Sequence, residues 1–168
     1  IRMNLLTTDR LLISKITIDD AEFILELMND KDWIKNIGDK GVRTVEDAQV
    51  YIQNRFLTTY HDSNYGFYTM NLKNTQQIIG IVGLVDREGI DHIDIGYGIL
   101  PEFRGKGYAF EAAKAIYDYG YQELNLEKIV AIVNPDNIPS IKLLSKLGLE
   151  FEKMIRLPDD EIEILLYS

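Results

Sequence analysis

Residues Ile93 to Ala115 read IDIGYGILPEFRGKGYAFEAAKA. The first half alternates, with Ile93, Ile95, Tyr97 and Ile99 on one face and Asp94, Gly96, Gly98 and Leu100 on the other, the period of a strand. Pro101 ends it. A short basic loop, Arg104-Gly105-Lys106-Gly107, then opens a helix whose Ala109, Ala112, Ala113, Ile116 and Tyr119 fall on one side. Strand, glycine loop and helix N-terminus in direct succession suit a phosphate. The first amides of a helix lack internal partners and sit at the positive end of its dipole, and glycine lets the backbone approach the anion.

Spacing separates three readings of the loop. A dinucleotide fold needs Gly-x-Gly-x-x-Gly, but the third position counted from Gly105 is Phe110. The nucleotide-triphosphate pattern Gly-x-x-x-x-Gly-Lys-Ser/Thr occurs nowhere. What is present is Arg104-x-x-Gly107-x-Ala109, which resembles the acetyl-CoA pyrophosphate loop of the GNAT superfamily of N-acetyltransferases, Gln/Arg-x-x-Gly-x-Gly/Ala. An ordinary glycine turn with two exposed basic residues is the other reading.

Upstream, Arg10 to Ile16 reads as a strand, and Thr17-x-x-Asp20 starts a helix carrying Phe23, Ile24, Leu27 and Met28. Asn29 to Gly41 is a polar stretch around Trp33, a loop with a helical turn. Thr44-x-x-Asp47 opens a second helix with Ala48, Ile52 and Phe56 on one side. Tyr65 to Leu72 and Gln77 to Val85 are strands, the second with the run IIGIVGLV of a strand covered on both faces. With Ile93 to Leu100 they form an antiparallel meander. Downstream, Lys128 to Val133 is a short β-branched strand, placed parallel to Ile93–Leu100 by the helical crossover. A helix carrying Ile141, Leu143, Leu144 and Leu147 follows, capped by Asn137 and stopped by Gly148. Leu149 to Ile155 and Glu161 to Tyr167 make a closing hairpin.

Composition bounds the rest. A chain of 168 residues with 46% apolar content is one globular domain. No apolar run approaches the ~18 residues of a membrane span and no signal-peptide core opens the chain, which places the protein in the cytoplasm. Met3 reads as the natural start, so the domain is 3–168 with Ile1 and Arg2 as added residues. With no cysteine and only His61 and His92, no thiol nucleophile or histidine metal site is expected. A net charge of −9 argues against nucleic acid. It suits steering of a cationic amine, or simply a solvated acidic surface.

A second signature lies about thirty residues beyond the loop. Asn137-x-x-Ser140-x-x-Leu143 and Lys146-x-Gly148-Leu149 resemble the GNAT pattern Asn-x-x-Ser/Ala-x-x-Leu followed by Lys-x-Gly-Phe. With Thr8-Asp9-Arg10-Leu11 near the start, the chain resembles the ribosomal-protein N-terminal (RimJ/RimL-like) acetyltransferase branch from Leu6 to the end. The resemblance implies a GNAT fold of the α/β (α+β) class: a mixed, mostly antiparallel sheet of about seven strands flanked by about four helices. It implies acetyl-CoA as cosubstrate, no metal, and a peptide N-terminus or small molecule as amine acceptor. On it, the amides of Arg104, Gly105, Lys106, Gly107, Tyr108 and Ala109 hold the pyrophosphate, with Arg104 and Lys106 adding charge. Ile99 and Leu100 offer backbone groups to the pantetheine arm, Gly96 and Gly98 leave a strand face bare beside it, and Asn134 and Asn137 contact the cofactor by side-chain amide. The strand Lys128–Val133 splays away to open the thioester slot. Trp33, Tyr51, Arg55, Tyr60 and Tyr97 are candidates for the acceptor pocket, although aromatics at helical spacing also make core.

Attack of a neutral amine on a thioester carbonyl needs a proton acceptor, an oxyanion donor and a proton for the leaving thiolate. Asp94 lies ten residues before Arg104, where many relatives carry a glutamate base; a solvent-facing strand aspartate is the alternative. Leu144 stands where many relatives have the tyrosine acid, so Ser140 is the substitute donor, or a plain helix-start serine. The amide of Ile99 or Leu100 is the oxyanion candidate. The reaction expected is direct attack in a ternary complex. An acyl-CoA-binding sensor without chemistry is the alternative class, and a pure interaction domain ranks last. The closing strand offers an edge for a homodimer.

Overall fold

The computed structural model describes residues 2–168. Eight strands form one sheet in the order β1-β2-β3-β4-β5-β6-β8-β7: β1 (Asn4–Thr7), β2 (Leu11–Lys15), β3 (Phe67–Leu72), β4 (Ile78–Val85), β5 (Ile93–Ile99), β6 (Ile129–Val133), β7 (Phe151–Ile155) and β8 (Ile164–Tyr167). Every neighbouring pair is antiparallel except β5 and β6. Six helical segments flank the sheet: α1 (Ala21–Met28), α2 (Lys31–Asn36), α3 (Val45–Tyr51), α4 (Thr58–Asp62), α5 (Tyr108–Gln122) and α6 (Ile138–Leu147). A π-helical stretch, Ile52–Leu57, joins α3 to α4 without a break.

The strand absent from the sequence reading is β1. Four residues are too few to show alternation, and tertiary contacts define them: Ser14 Oγ donates to Asn4 Oδ1 at 2.7 Å, and β1 lies along β2. Arg2, ahead of it, sets its guanidinium against Asp20 at 2.5 Å and donates to Thr69 Oγ1 at 3.2 Å.

Two apolar cores lie on opposite faces of the sheet. On one, Ala112, Ala113 and Ile116 of α5 and Leu144 and Leu147 of α6 pack on Leu11, Ile13, Met70, Val82, Leu84 and Ile95. On the other, Ile24, Leu27 and Met28 of α1, Trp33 of α2, and Ala48, Ile52 and Phe56 pack on Ile81 and Leu100. β4 serves both, which is why IIGIVGLV is buried almost throughout. The second capping box forms as its spacing demands: Asp47 N–H donates to Thr44 Oγ1 at 3.0 Å and Thr44 N–H to Asp47 Oδ2 at 3.1 Å.

Two features at the sheet's far end matter. β6 pairs with β5 only at Ile93↔Ile129 and Asp94↔Val130, and then follows β8. The closing strand β8 lies between β6 and β7, so both its edges are occupied and it is not free to pair across a dimer; the outer strand is β7. The chain crosses over here, because a strand between two neighbours satisfies both rows of backbone groups.

Candidate active site

Where β5 and β6 part, a cleft of about 860 Å³ opens between the two halves of the sheet. Its walls include Asp94 to Ile99 of β5, Ala131 to Asn134, Phe103 to Gly105 and Gly107 to Phe110 but not Lys106, the first turns of α6, and Trp33 and Phe67 from the opposite face. Alternation decides which backbone groups look into the gap. Leu100 N–H donates to Ile79 O at 2.9 Å, toward β4, so the amide of Ile99 faces the β6 side, where pairing has stopped. Of the two oxyanion candidates, Leu100 is therefore engaged in the ladder and Ile99 is turned to the cleft.

Asp94 sits at the apex of the parting strands. It is 1% exposed, which overturns the solvent-facing alternative. Oδ2 accepts from Arg87 Nε at 2.9 Å, while Oδ1 is buried with no hydrogen-bond partner. Burial pushes the carboxyl up to about 6, against the opposing pull of the Arg87 charge. On the other side of the gap, the Tyr97 hydroxyl donates to Ser140 Oγ at 2.6 Å. Burial raises the phenol, and the Ser140 contact works against that rise. Ser140 owes its place to the cap of α6, where Asn137 Oδ1 accepts from Ser140 N–H at 3.4 Å. Leu144, one turn on, is 2% exposed and belongs to the core.

The loop before α5 is built for close approach. Gly105 and Gly107 have φ of 74° and 83°, the left-handed region that favours glycine, and a Cβ on Gly105 would have nothing within 4 Å. Behind the loop, Arg10 braces the helix start: Nε pairs with Glu111 at 2.7 Å and Nη1 donates to Lys106 O at 2.9 Å. The Lys146 ammonium lies 4.1 Å from the Phe110 ring, beside the first turn of α5. A 15-residue helix with an open glycine approach, flanked by a lysine and continuing into a narrow gap between strands, fits an extended molecule with a pyrophosphate at one end.

Other predicted residues are placed differently. Arg104 lines the cleft, but its guanidinium is held by Asp32 at 2.5 Å, Asp30 at 2.7 Å and Ile99 O at 3.0 Å. Asn134 Nδ2 reaches Lys35 O and Asn36 O, both at 3.4 Å, and so touches α2. The strand face bearing Gly96 and Gly98 is covered: a Cβ on Gly98 would lie 2.4 Å from the Trp33 ring, and one on Gly96 would lie 3.2 Å from Phe67. Trp33 and Tyr97 are in the cleft. Tyr51 is not among its walls and packs edge-on against Phe56 at 5.4 Å. Arg55 is likewise outside the cleft. Tyr60 ties the fold together, its hydroxyl accepting from Ile16 N–H and donating to Phe67 O. Sequence reasoning did not find Arg87, Asp30 or Phe67, and it named Lys146 only within the second signature, without a place in the site. Arg87 stands seven residues before Asp94, across a turn whose geometry spacing alone does not give.

Among the described residues no helix is long and apolar enough to cross a membrane, and no three His, Asp or Glu side chains converge as metal ligands. Residues 10–150 match the acetyltransferase (GNAT) domain family. The N-acetyltransferase YnaD of Bacillus subtilis (strain 168) is 33% identical over 147 residues, 88% of this chain and 83% of that protein. A GNAT-family acetyltransferase structure from Bacillus anthracis superposes with a TM-score of 0.79 at 27% identity, covering 99% of this chain and 96% of that one. RimL, a ribosomal L7/L12 alpha-N-protein acetyltransferase solved with coenzyme A, shares the fold with a TM-score of 0.82 at 16% identity, covering 98% of this chain and 96% of its own.

Proposed function

The chain belongs to the GNAT acetyltransferase family and is an acetyl-CoA-dependent N-acetyltransferase, and we propose that it acetylates a primary amine that meets Asp94 from the sheet face carrying Trp33 and Phe67. The observation that carries this is the parting of β5 from β6 at Asp94, a buried carboxylate with one unpartnered oxygen at the head of a cleft. The acceptor in this reading is a peptide N-terminus or a small-molecule amine, and the compartment is the cytoplasm.

The thioester supplies the acetyl group when bound. The amides of the 104–109 loop take the pyrophosphate, with Lys106 and Lys146 adding charge, and Asn137 stands beside the arm as it enters between the strands. Asp94 accepts the proton that the amine must lose, directly or through one water; a carboxyl near 6 is ionised at neutral pH and still basic enough for the task. The Ile99 amide faces the acyl oxygen as negative charge develops there. Ser140 gives a proton to the departing sulfur as the Tyr97 hydroxyl donates to it along their 2.6 Å contact, and Tyr97 takes its proton back from solvent while Asp94 releases the one it took from the amine. A tyrosine on the strand thus stands in for the one that Leu144 replaces on the helix.

Calorimetric titration with acetyl-CoA, followed by a thiol-release screen against peptides of varied N-terminus, polyamines and aminoglycosides, tests this directly. Binding with turnover on one class supports the reading and names the acceptor. Binding without turnover on any amine overturns the acceptor assignment, and absence of binding overturns the cofactor cleft itself.

A further inference from the structure

The first residue of the phosphate loop has its charge already committed. Arg104 Nη1 donates to Asp32 Oδ2 at 2.5 Å, and Nη2 is shared between Asp30 Oδ2 at 2.7 Å and the Ile99 carbonyl at 3.0 Å. The fork therefore spans three groups on two elements, the start of α2 and the end of β5. Asp30 is also the cap of α2, accepting from Trp33 N–H at 3.1 Å. Its carboxyl is largely buried, and Arg104 and that cap hold it ionised below the usual range although burial itself works the other way. The far end of α2 is tied more loosely: the Asn134 contacts are 3.4 Å long, and Lys35 meets Asp136 at 3.5 Å with both side chains exposed.

What the pinned helix carries is Trp33. Its ring lies on Gly98, so close that a methyl group there would sit 2.4 Å from Cζ3. Trp33 is 7% exposed and shares the Asp94, Gly96 and Gly98 face of β5, the side from which the amine arrives. A six-residue helix is too short to hold itself in place by its own hydrogen bonds.

We infer that Arg104 is a positioning residue for the acceptor: its guanidinium pins α2 to the end of β5 so that Trp33 walls the amine side of the cleft, and coenzyme A is left to the loop's backbone amides. This rests on the acetyl-transfer reading above. It also links the two substrates' sites physically, because the residue that opens the cofactor loop holds the acceptor wall.

Trp33 is the single tryptophan of the chain, so its emission reports the pin directly. Arg104→Lys keeps the charge and loses the fork. It should red-shift the emission, expose the ring to acrylamide and raise the acceptor KM about 10-fold, with the acetyl-CoA Kd unchanged within about 3-fold. Asp32→Asn, at a half-exposed position, should reproduce the defect more mildly. In a Trp33→Phe background, Arg104→Lys should add little further loss, the non-additivity of groups acting through one contact. The inference is overturned if Arg104→Lys and Asp32→Asn leave emission and acceptor KM at wild-type values, or if Arg104→Lys instead weakens acetyl-CoA binding 10-fold or more, as loss of a phosphate ligand would. Failure of the wild-type protein to bind acetyl-CoA would remove the acetyl-transfer reading instead, and the emission measurements would still decide whether the pin exists.

Discussion

Asp94 is buried at a cost to stability, and the base proposed here is the same carboxyl. A carboxyl raised from 3.8 to about 6 binds its proton more tightly in the folded chain than in the unfolded one. Folding stability therefore falls as pH climbs from about 4 to about 6, and the full penalty, about 3 kcal/mol, stands above that. Asp94→Asn removes the titration. Chemical denaturation at pH 8 should find the variant more stable than wild type, with the difference shrinking toward pH 4, while kcat falls about 100-fold or more if Asp94 is the base. The wild-type kcat/KM should decline below about pH 6 and the residual activity of the variant should lack that limb; a shared limb would assign it to another group. If Ser140 is the leaving-group acid as proposed, Ser140→Ala should lower kcat about 10-fold to 100-fold with little change in acetyl-CoA affinity, and Tyr97→Phe should act in the same direction because it removes the hydroxyl that donates to Ser140. Unchanged kinetics in both would remove the hydroxyl pair from the mechanism. The place of Ser140 in the first turn of a helix capped by Asn137 was legible from its motif. Its partner was not, because Tyr97 lies 43 residues away and only the fold brings the two oxygens to 2.6 Å.

Among the elements, β5 and α2 carry most of the consequence. The alternation that identifies β5 also separates its roles, with Tyr97 toward α6 and Asp94 toward Trp33. Glycines in this strand read as a bare face, yet at Gly98 the space is filled by a tryptophan from a helix 65 residues earlier. Gly98→Ala should consequently force Trp33 off the strand, at about 1 to 3 kcal/mol, a magnitude typical of overpacking. Urea titration would measure that loss, and acceptor turnover should fall with it; a variant of wild-type stability and activity would mean that the ring yields without consequence. The start of α5 followed from the glycine loop, and both ends of α6 from the Asn137 cap and Gly148. α2 did not, since its six residues have a weak apolar pattern and are held by Arg104 on Asp30 and Asp32 and by Trp33 on Gly98, contacts that span more than 60 residues of sequence.

On the scale of the whole molecule, two cores share one sheet through β4, so neither layer has a face of its own to retain when the other is lost. Heat or denaturant should unfold the chain in a single transition at which fluorescence and circular dichroism coincide; two separated transitions would show independent layers. Saturating acetyl-CoA at about 100 times its Kd should raise the midpoint by roughly 5 to 10 °C, since ligand binding of that strength adds about 2.7 kcal/mol. Read from the chain alone, the four main helices, seven of the eight strands and the parallel placement of β6 come out in their right order, with a glycine loop and a capped helix on either side of one gap. These are local matters, set by side-chain period, turn residues and caps within a few positions of each other. The burial of Asp94 against Arg87, the meeting of Tyr97 with Ser140, the turn of Arg104 to α2 and the entry of β8 between β6 and β7 came from the folded chain. Each of those is a pairing between distant segments, and the energy that selects it, desolvation against charge or the closing of an open edge, exists only once the sheet has brought the partners together.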